Sequence, residues 1–415
     1  MRERMQNSGC GTTILATAMM VIVVACGISE IGTVDIPEDK EQDGIGSTVR
    51  SVCCVSGFEY PSGYEWNKGV ADGYVRCSLV VCADGVPKMK VPVGDGYEVD
   101  SDPDMNRVIG GDLYTFYSKD GRTVVRRNGA PLFRYDADEV LVDMSVKGED
   151  VFTLAHKRSG EGFSFRKNGE VMLERFSGET FGKLWEDGDS LCFAFVQPVA
   201  LNDGLEYRHY IACDATTSLV KDIKGFERVW DIISDGGIPC ILVSYYGTGD
   251  TYMIRGRAQK WMEIPYDTEM LSCSFFQADD MIGVECVYSY RDGTYGSGIW
   301  VEGSEYMQFE TGSSIQALKY TEGKAYCILH PDDEEGIIFD AGEIVHMPDG
   351  YFCLDERAMA VREGVLYVGL SSRTGGHPLV WHDGKTDTLR FNGCVTSVTF
   401  VDAKDIYASQ KRVRD

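Results

Sequence analysis

The chain has few of the features on which enzymes and nucleic-acid-binding proteins depend. Its 40 Lys and Arg residues are outnumbered by 65 Asp and Glu, which gives a formal net charge of −25 at pH 7. Such an acidic chain is repelled by nucleic acid and by anionic membrane surfaces, so we expect no nucleic-acid partner. The sequence also lacks a G-x-S-x-G, an H-E-x-x-H and a P-loop motif. No catalytic residue and no cofactor can therefore be assigned from a motif.

Metal-binding spacings are absent as well. None of the 14 cysteines stands in a C-x-x-C motif or a Cys/His cluster, which predicts no metal centre. Asp100, Asp102 and Asp104 open like a calcium loop, but Met105 and Gly111 stand where such a loop has glycine and glutamate. We interpret this acidic segment as a solvated loop.

Most cysteines stand singly in strand-like apolar runs, where a cysteine acts as a small buried hydrophobe. An exported chain could form disulfides, but their pairing cannot be deduced from the sequence. The clearest single cysteines are Cys192, Cys240, Cys286 and Cys327.

One apolar run near the N-terminus predicts export. Arg2 and Arg4 precede an 11-residue apolar run at 14–24, which has the length of a secretory signal core and is too short to span a bilayer. The following residues 23–26, Val-Val-Ala-Cys, resemble a bacterial lipobox, which implies cleavage before Cys26 and lipidation of its thiol. Cys10 follows polar residues and does not compete for this role.

The predicted organisation has three parts. Residues 1–25 are a lipoprotein signal peptide, 26–47 a lipidated flexible linker, and 48–410 the folded body. Because Gly27 rather than Asp follows Cys26, the resemblance implies the outer membrane, with the periplasmic and outer sides both left open. The membrane is then a partner through the lipid alone.

The folded body repeats with a period of about 43 residues. One series of two-residue turns joins short strands and is typical of hairpins. Its members are Asp84-Gly85, Asn128-Gly129, Asn168-Gly169, Asp214-Ala215, Arg255-Gly256, Glu302-Gly303, Ala341-Gly342 and Asp383-Gly384.

A second series with the same period precedes apolar, aromatic-rich runs. Its turns lie at Asp112, Asp150, Asp189, Gly237, Asp280, Gly323, Gly364 and Asp405. Two turn series of equal period give four short strands, A to D, in each unit. The first series joins strands C and D, and the second joins strands A and B.

A four-stranded repeat of this length predicts an all-β fold, a β-propeller. Seven units are complete, and the strands left over at the two chain ends would pair into another blade. We therefore prefer eight blades to seven, with a ring closed by N- and C-terminal strands. The closing blade is expected to split two and two, although the strand-like run at 52–55 also allows three and one.

Candidate binding residues lie on the face that carries the B–C loops, because variable loops on a rigid scaffold usually hold function. Aromatic and planar donor groups there suit a sugar or peptide. They are Tyr246, Tyr290, Arg291, Tyr295, His330, Arg373 and His377. Two further candidates, Trp185 and Trp230, share an F-x-x-x-W pattern in D–A segments and could lie at the mouth of the channel.

The repeat residues FRKNG at 165–169, VRRNG at 125–129 and VWHDG at 380–384 resemble those of bacterial lipoproteins with a C-terminal β-propeller. The resemblance covers about residues 48–410 and implies fold rather than function. Our first hypothesis is a non-enzymatic binding module of the cell envelope for a glycan, peptide or protein. The alternative is a carbohydrate-active hydrolase or lyase, which would need carboxyl groups converging at the channel mouth.

Overall fold

The structure of the protein, a computed structural model, contains eight antiparallel sheets. It describes residues 51–60, 77–92, 97–98, 106–119, 122–136, 138–160, 162–201, 204–214, 216–220, 228–244, 251–255, 257–262, 268–279, 281–301, 304–309, 312–331 and 336–406. The predicted signal peptide, the linker with Cys26, the acidic segment at 100–104 and Tyr246 lie outside these residues. No helix in the described ranges is long and apolar enough to cross a membrane.

Each sheet is one propeller blade, and strand A lies innermost while strand D lies outermost. The first three strands are β1 (Ser51–Glu59), β2 (Ser78–Ala83) and β3 (Val86–Pro92), which belong to blade 8. Blade 1 holds β4 (Tyr97–Glu98), β5 (Asn106–Ile109), β6 (Asp112–Lys119), β7 (Arg122–Arg127) and β8 (Ala130–Arg134). Blade 2 holds β9 (Glu139–Lys147), β10 (Asp150–Lys157), β11 (Phe163–Lys167) and β12 (Glu170–Arg175). Blade 3 holds β13 (Glu179–Thr180), β14 (Trp185–Asp187), β15 (Ser190–Leu201), β16 (Gly204–Cys213) and β17 (Thr216–Leu219).

The second half of the ring repeats this order. Blade 4 holds β18 (Arg228–Asp235), β19 (Ile238–Ser244), β20 (Thr251–Arg255) and β21 (Arg257–Met262). Blade 5 holds β22 (Thr268–Ala278), β23 (Met281–Tyr290), β24 (Tyr295–Val301) and β25 (Ser304–Phe309). Blade 6 holds β26 (Ser313–Thr321), β27 (Lys324–Pro331), β28 (Ile337–Asp340) and β29 (Glu343–His346). Blade 7 holds β30 (Tyr351–Phe352), a 3-10 helix (Glu356–Ala358), β31 (Met359–Arg362), β32 (Val365–Ser372), β33 (Leu379–His382) and β34 (Lys385–Thr388). The last strand, β35 (Gly393–Asp402), is strand A of blade 8.

The ring closes through β35 and β1, which pair from Ser51–Asp402 to Glu59–Gly393. This pairing confirms eight blades and a closure made by strands from both ends of the chain. Blade 8 takes three strands from the N-terminal side and one from the C-terminal side, so the expected two-and-two split is wrong. The reason is that residues 403–406 form a helical turn instead of an A–B hairpin at Asp405, which leaves β1 as strand B.

Turns between strands C and D adopt positive φ angles, as the first turn series predicts. Asn168 has φ +52° and Gly169 has φ +84°, and Asn128, Asp84 and Asp383 take the same left-handed conformation. Asn and Asp tolerate this region better than other residues that carry a Cβ, which explains their recurrence here.

The turn asparagines also hold strand B. The Oδ1 atom of Asn168 accepts a hydrogen bond from the Val151 backbone N–H at 2.8 Å, while the Asn168 N–H donates to the Val151 carbonyl at 2.8 Å. Asn128 makes the same pair of bonds with Leu113, at 2.9 and 2.7 Å. Each of these C–D turns is therefore also bound to strand B of its own blade.

The apolar core is divided among the spaces between neighbouring blades. Phe163 and Phe165 of blade 2 pack on Phe193 and Phe195 of blade 3, with ring centroids 4.9 Å apart for Phe163–Phe195 and 5.1 Å apart for Phe165–Phe193. Such clusters recur around the ring, so each blade is stabilised mainly by its neighbours.

The cysteines follow the prediction with one exception. Cys240, Cys286 and Cys327 are buried apolar residues without a disulfide. Cys192 instead forms a disulfide with Cys213, directly across strands β15 and β16.

Exchanging the turn residues tests the role of the asparagines. We expect Asn168→Ala to lower the free energy of unfolding by about 1–2 kcal/mol, because alanine is strained at positive φ and leaves the Val151 N–H unpaired. Ala341 has φ +51° in blade 6 and its N–H already donates to the carbonyl of Ala325. Ala341→Asn should therefore raise the free energy of unfolding, measured by urea denaturation with circular dichroism. A stabilised Asn168→Ala or a destabilised Ala341→Asn would contradict this account.

Candidate binding chamber in the central channel

A cavity of about 650 Å³ lies between the inner strands of blades 3 to 6 and reaches Glu356 of blade 7. We call it the channel chamber. It is lined by Phe181, Lys183, Trp185, Glu186, Trp230, Asp231, Ile233, Ser234, Ser274, Phe275, Phe276, Gln277, Glu285, Leu318, Lys319, Tyr320 and Glu356. A volume of this size is typical of small-ligand sites.

The channel chamber occupies the half of the channel nearest the A–B turns. Its lining segments at 183–186, 230–234, 274–277 and 318–320 lie within the last few residues before those turns. It therefore lies away from the B–C loops, at the opposite end of strand A.

A β-bulge shapes the wall of the chamber in blade 4. Val229 pairs with Val243 and Asp231 pairs with Leu242, so Trp230 is the extra residue of the bulge. A bulge of this kind redirects the side chains that follow it. It places Trp230 and Asp231 together in the lining of the chamber.

Asp231 joins three blades at the chamber wall. Its Oδ2 atom accepts a hydrogen bond from Lys183 Nζ of blade 3 at 2.5 Å and from the Phe275 N–H of blade 5 at 2.9 Å. Its Oδ1 atom accepts from the Ile232 N–H at 2.8 Å. The side chain of Asp231 is only 5% exposed, so its charge is buried but fully compensated.

Asp143 repeats this arrangement two blades earlier in the ring, in blade 2. Its Oδ1 atom accepts from Arg107 Nη2 of blade 1 at 2.7 Å, and its Oδ2 atom accepts from the Leu184 N–H of blade 3 at 2.7 Å. Asp143 and Asp231 each follow a bulge in strand A, and each links its own blade to both neighbours. We call these two residues the inner-strand aspartates.

Two indole groups in the chamber wall have no hydrogen-bond partner. Trp185 and Trp230 are half-buried, and the Nε1 atom of each is buried without an acceptor in the described part of the chain. The guanidinium of Arg228 lies 3.7 Å from the centroid of the Trp230 ring and covers it. A buried N–H without an acceptor is costly, so a rotation of either ring that brings its N–H to the chamber surface would let a ligand or water satisfy it.

Glu285 contributes a carboxyl group to the same wall. Burial raises the pKa of Glu285, while a hydrogen bond from Ser274 Oγ at 2.9 Å and the charge of Lys183 oppose this effect. The raised pKa favours the protonated carboxyl, which both donates and accepts hydrogen bonds. The chamber therefore offers a mixed set of donors and acceptors rather than a field of one sign.

A group of three carboxylates away from the chamber could be mistaken for a metal site. Carboxylate oxygens of Asp136, Asp138 and Glu139 lie within 4.8 Å of one another. Glu139 is buried but is bound by Arg166 Nη2 at 2.6 Å and by Lys157 Nζ at 3.2 Å. These two cations already compensate the buried Glu139, so we assign this residue to the internal structure of blade 2.

The two predicted channel residues, Trp185 and Trp230, are brought together in the chamber. Three of the predicted loop residues share another place, the B–C hairpin of blade 5. Tyr290 and Tyr295 flank its turn, Arg291 lies within it, and Tyr295 is 39% exposed. These three residues do not line the chamber.

The remaining loop candidates lie on blades 6 and 7. The Arg373 guanidinium lies over the Phe352 ring at 5.7 Å, and His377 Nδ1 lies 2.8 Å from the Phe391 carbonyl oxygen, which fixes the imidazole against its own blade. His330 lies at the end of β27, where its Nδ1 is 3.3 Å from the Pro331 carbonyl oxygen. The structure therefore does not gather the loop candidates into one site.

Sequence reasoning missed Lys183, Asp231 and Glu285. A signal existed for the aspartate, because the segments LVDM at 141–144 and VWDI at 229–232 share an Asp between apolar residues at the same point of strand A. Glu285 stands in an apolar strand run and carries no comparable signal.

No protein-family model matches the chain, and no curated protein matches it in sequence. Solved structures match it in fold. The dihydro-heme d1 dehydrogenase NirN in complex with DHE is 9% identical, with 86% of this chain and 76% of that chain covered and a TM-score of 0.50. An acylaminoacyl peptidase in complex with Z-Gly-Gly-Phe-chloromethyl ketone is 11% identical, with 73% and 54% covered and a TM-score of 0.44, so this chain spans about half of it. The β-propeller domain of the Trilobed protease from Pyrococcus furiosus is 14% identical, with 77% and 91% covered and a TM-score of 0.41. At these identities the likeness is one of fold alone.

Removing an inner-strand aspartate tests its structural role. We expect Asp231→Ala to lower the free energy of unfolding by about 3 kcal/mol, because it leaves Lys183 and two backbone N–H groups without their acceptor. Lys385→Ala is the control, since Lys385 pairs with Asp383 where both side chains are 73% exposed, and it should leave stability unchanged. Guanidinium denaturation measures both variants. Equal stabilities for Asp231→Ala and the unmodified chain would contradict the account.

Proposed function

We propose that the chain is a lipid-anchored, non-enzymatic binding module of the outer membrane that holds an uncharged glycan segment in the channel chamber. The observation that carries this proposal is the pair of buried, unpartnered indole N–H groups of Trp185 and Trp230 in the chamber wall. The proposal moves the ligand site from the B–C loops to the channel, because the chamber gathers aromatic and polar groups that the loops keep apart.

Charge in the chamber favours an uncharged ligand. Two lysines, Lys183 and Lys319, face four carboxyl groups in the lining, and Lys183 is already paired with Asp231. An anionic ligand would meet an excess of carboxylates, and a cationic one would compete with the existing ion pair. A neutral ligand avoids both costs.

Hydroxyl groups fit the polar groups that remain. The indole N–H groups require acceptors, whereas carboxyl oxygens of Glu285 and Glu356 require donors. A sugar hydroxyl supplies both functions, and the apolar face of a sugar ring packs on aromatic side chains such as Trp185. A peptide is the competing ligand, since its carbonyls accept and its N–H groups donate.

Binding explains the chamber carboxyls better than catalysis does. Glycoside hydrolysis uses two carboxyl groups, one as acid and one as base or nucleophile. Asp231 is committed to Lys183 and two backbone N–H groups, which leaves it without a role toward a substrate. Glu285 has the raised pKa of an acid, and it is the residue on which a hydrolase would depend.

Trp→Phe variants test the ligand site with the full chain in detergent. Trp185→Phe and Trp230→Phe keep the aromatic ring but lose the N–H, so each should weaken glycan binding about tenfold. Both should still fold, with a modest loss of stability, because the indoles pack against buried clusters and the smaller ring fills less of that space. A glycan array finds the ligand, and calorimetry with that glycan measures the affinities.

Loop variants serve as the matched control. Tyr295→Ala and Arg291→Ala lie on the B–C hairpin of blade 5 and should leave the affinity unchanged. The chamber assignment fails if these variants lose binding while both Trp→Phe variants keep it. Cleavage of the glycan that disappears in Glu285→Gln would make the protein a hydrolase instead.

Anchoring is tested at the cysteine of the lipobox. We expect Cys26→Ser to abolish lipid attachment and release the protein from the membrane fraction, because the thiol is the acylation site. Mass spectrometry of the N-terminal peptide and cell fractionation measure these effects, with Cys10→Ser as the control. A Cys26→Ser protein that remains lipidated would rule out this anchor.

A further inference from the structure

Two cysteines of blade 5 face each other across neighbouring strands. Cys273 of β22 is the register partner of Cys286 of β23, and the two side chains are 6% and 1% exposed. Both are thiols in this structure, and Cys286 adds to the effect of burial in raising the pKa of Cys273. They belong to the cluster that packs between blades 4 and 5.

Their position in the ladder is one that accepts a disulfide. The A–B turn of blade 5 is closed by the pair Ala278–Met281, and the register runs without interruption from there to Cys273–Cys286. The pair that closes a two-residue turn is hydrogen-bonded, and hydrogen-bonded and non-hydrogen-bonded pairs alternate along an antiparallel ladder. Cys273–Cys286 lies five steps from the closing pair and is therefore a non-hydrogen-bonded pair. At such pairs the Cα atoms are about 4.5 Å apart and the side chains are closest.

The existing disulfide occupies the same kind of position. In blade 3 the ladder closes at Leu201–Gly204, and the Cys192–Cys213 pair is nine steps away, again a non-hydrogen-bonded pair. The Cα atoms of Cys192 and Cys213 are 4.1 Å apart. The cysteine pair of blade 5 therefore has the same position in its ladder as the pair that already forms a cross-strand disulfide in blade 3.

We propose that Cys273 and Cys286 form a second cross-strand disulfide when the chain folds in an oxidising compartment. A disulfide donor, either glutathione disulfide or a protein disulfide, supplies the oxidation. One cysteine thiolate attacks the donor and forms a mixed disulfide with release of one thiol, and the other cysteine then displaces the second thiol. Two thiols lose two protons and two electrons, and the donor gains them as two thiols.

Burial sets the time at which the bond can form. It raises the pKa of Cys273 and of Cys286, so the thiolate that must attack is scarce once blade 5 is packed. The two residues are 13 positions apart on one hairpin, and they meet before the neighbouring blades cover them. We therefore expect oxidation during folding rather than after it.

The bond would stiffen one wall of the channel chamber. The next pair along the ladder is Ser274–Glu285, whose side chains are hydrogen-bonded and line the chamber. A covalent link one position away would hold this pair in register. This consequence is independent of which ligand the chamber binds.

Peptide mapping tests the proposal on the full chain refolded with reduced and oxidised glutathione, then alkylated without reduction. Residues 261–290 contain no Lys or Arg, so trypsin cleaves after Lys260 and after Arg291 and leaves both cysteines in one peptide. We expect this peptide without alkylation and lighter by two hydrogens than the reduced form. Digestion at Asp279 or Asp280 should then leave two fragments joined through sulfur. Recovery of the peptide with both cysteines alkylated would overturn the proposal.

Single-cysteine variants provide the second measurement. Cys286→Ser should leave Cys273 fully alkylated, and oxidation should raise its thermal midpoint by less than that of the parent, because only the Cys192–Cys213 bond remains. Cys327→Ser is the matched control, because Cys327 faces Leu318 and Phe339 rather than a cysteine, and it should keep the bridged peptide. Loss of the bridged peptide in Cys327→Ser, or its absence from the parent whatever the variants do, refutes the pairing.

Discussion

Pairing between β35 and β1 is the contact on which the rest of the ring depends, because it joins strands from opposite ends of the chain into one blade. Side-chain hydrogen bonds add to the backbone pairing of these two strands. The Oγ atoms of Ser56 and Ser397 lie 2.5 Å apart, and Ser56 Oγ also donates to Oδ1 of Asn106 in blade 1 at 3.1 Å. Closure fixes the circumference of the ring, and the circumference fixes the space between the inner strands. The channel chamber is therefore a consequence of closure.

The inner strands use their polar groups in two ways. Asp143 and Asp231 bind cations and backbone N–H groups of adjacent blades, so the charges of these carboxylates are compensated by groups that secure the blades. Trp185 and Trp230 do the opposite, since their N–H groups have no acceptor among the residues that the structure describes. The indole N–H groups lack acceptors among the described residues, whereas the inner-strand aspartates are paired within the protein. This contrast locates the candidate binding site at the two tryptophans.

The blades could be predicted from the sequence because the preference of a residue for a turn is local. Asn168, for example, tolerates the left-handed conformation of its turn whatever its tertiary surroundings are. The split of blade 8 could not, since the choice between β1 and residues after 402 as strand B depends on a contact between chain ends. The tryptophans of the chamber were found through a short shared pattern. Lys183 and Glu285 were not, because their meeting depends on bulges and blade order rather than on neighbouring residues.

Chain direction relates the chamber to the proposed anchor. Strand B runs away from the A–B turns, so Ser51, the first residue of β1, lies at the face where those turns are, opposite Asp402. The chamber lining lies in the same half of the channel. A lipid on Cys26 would then join the body on the chamber side through the predicted flexible linker at 26–47. Because a flexible linker leaves the body free to rotate, the point of attachment does not restrict which ligands reach the chamber.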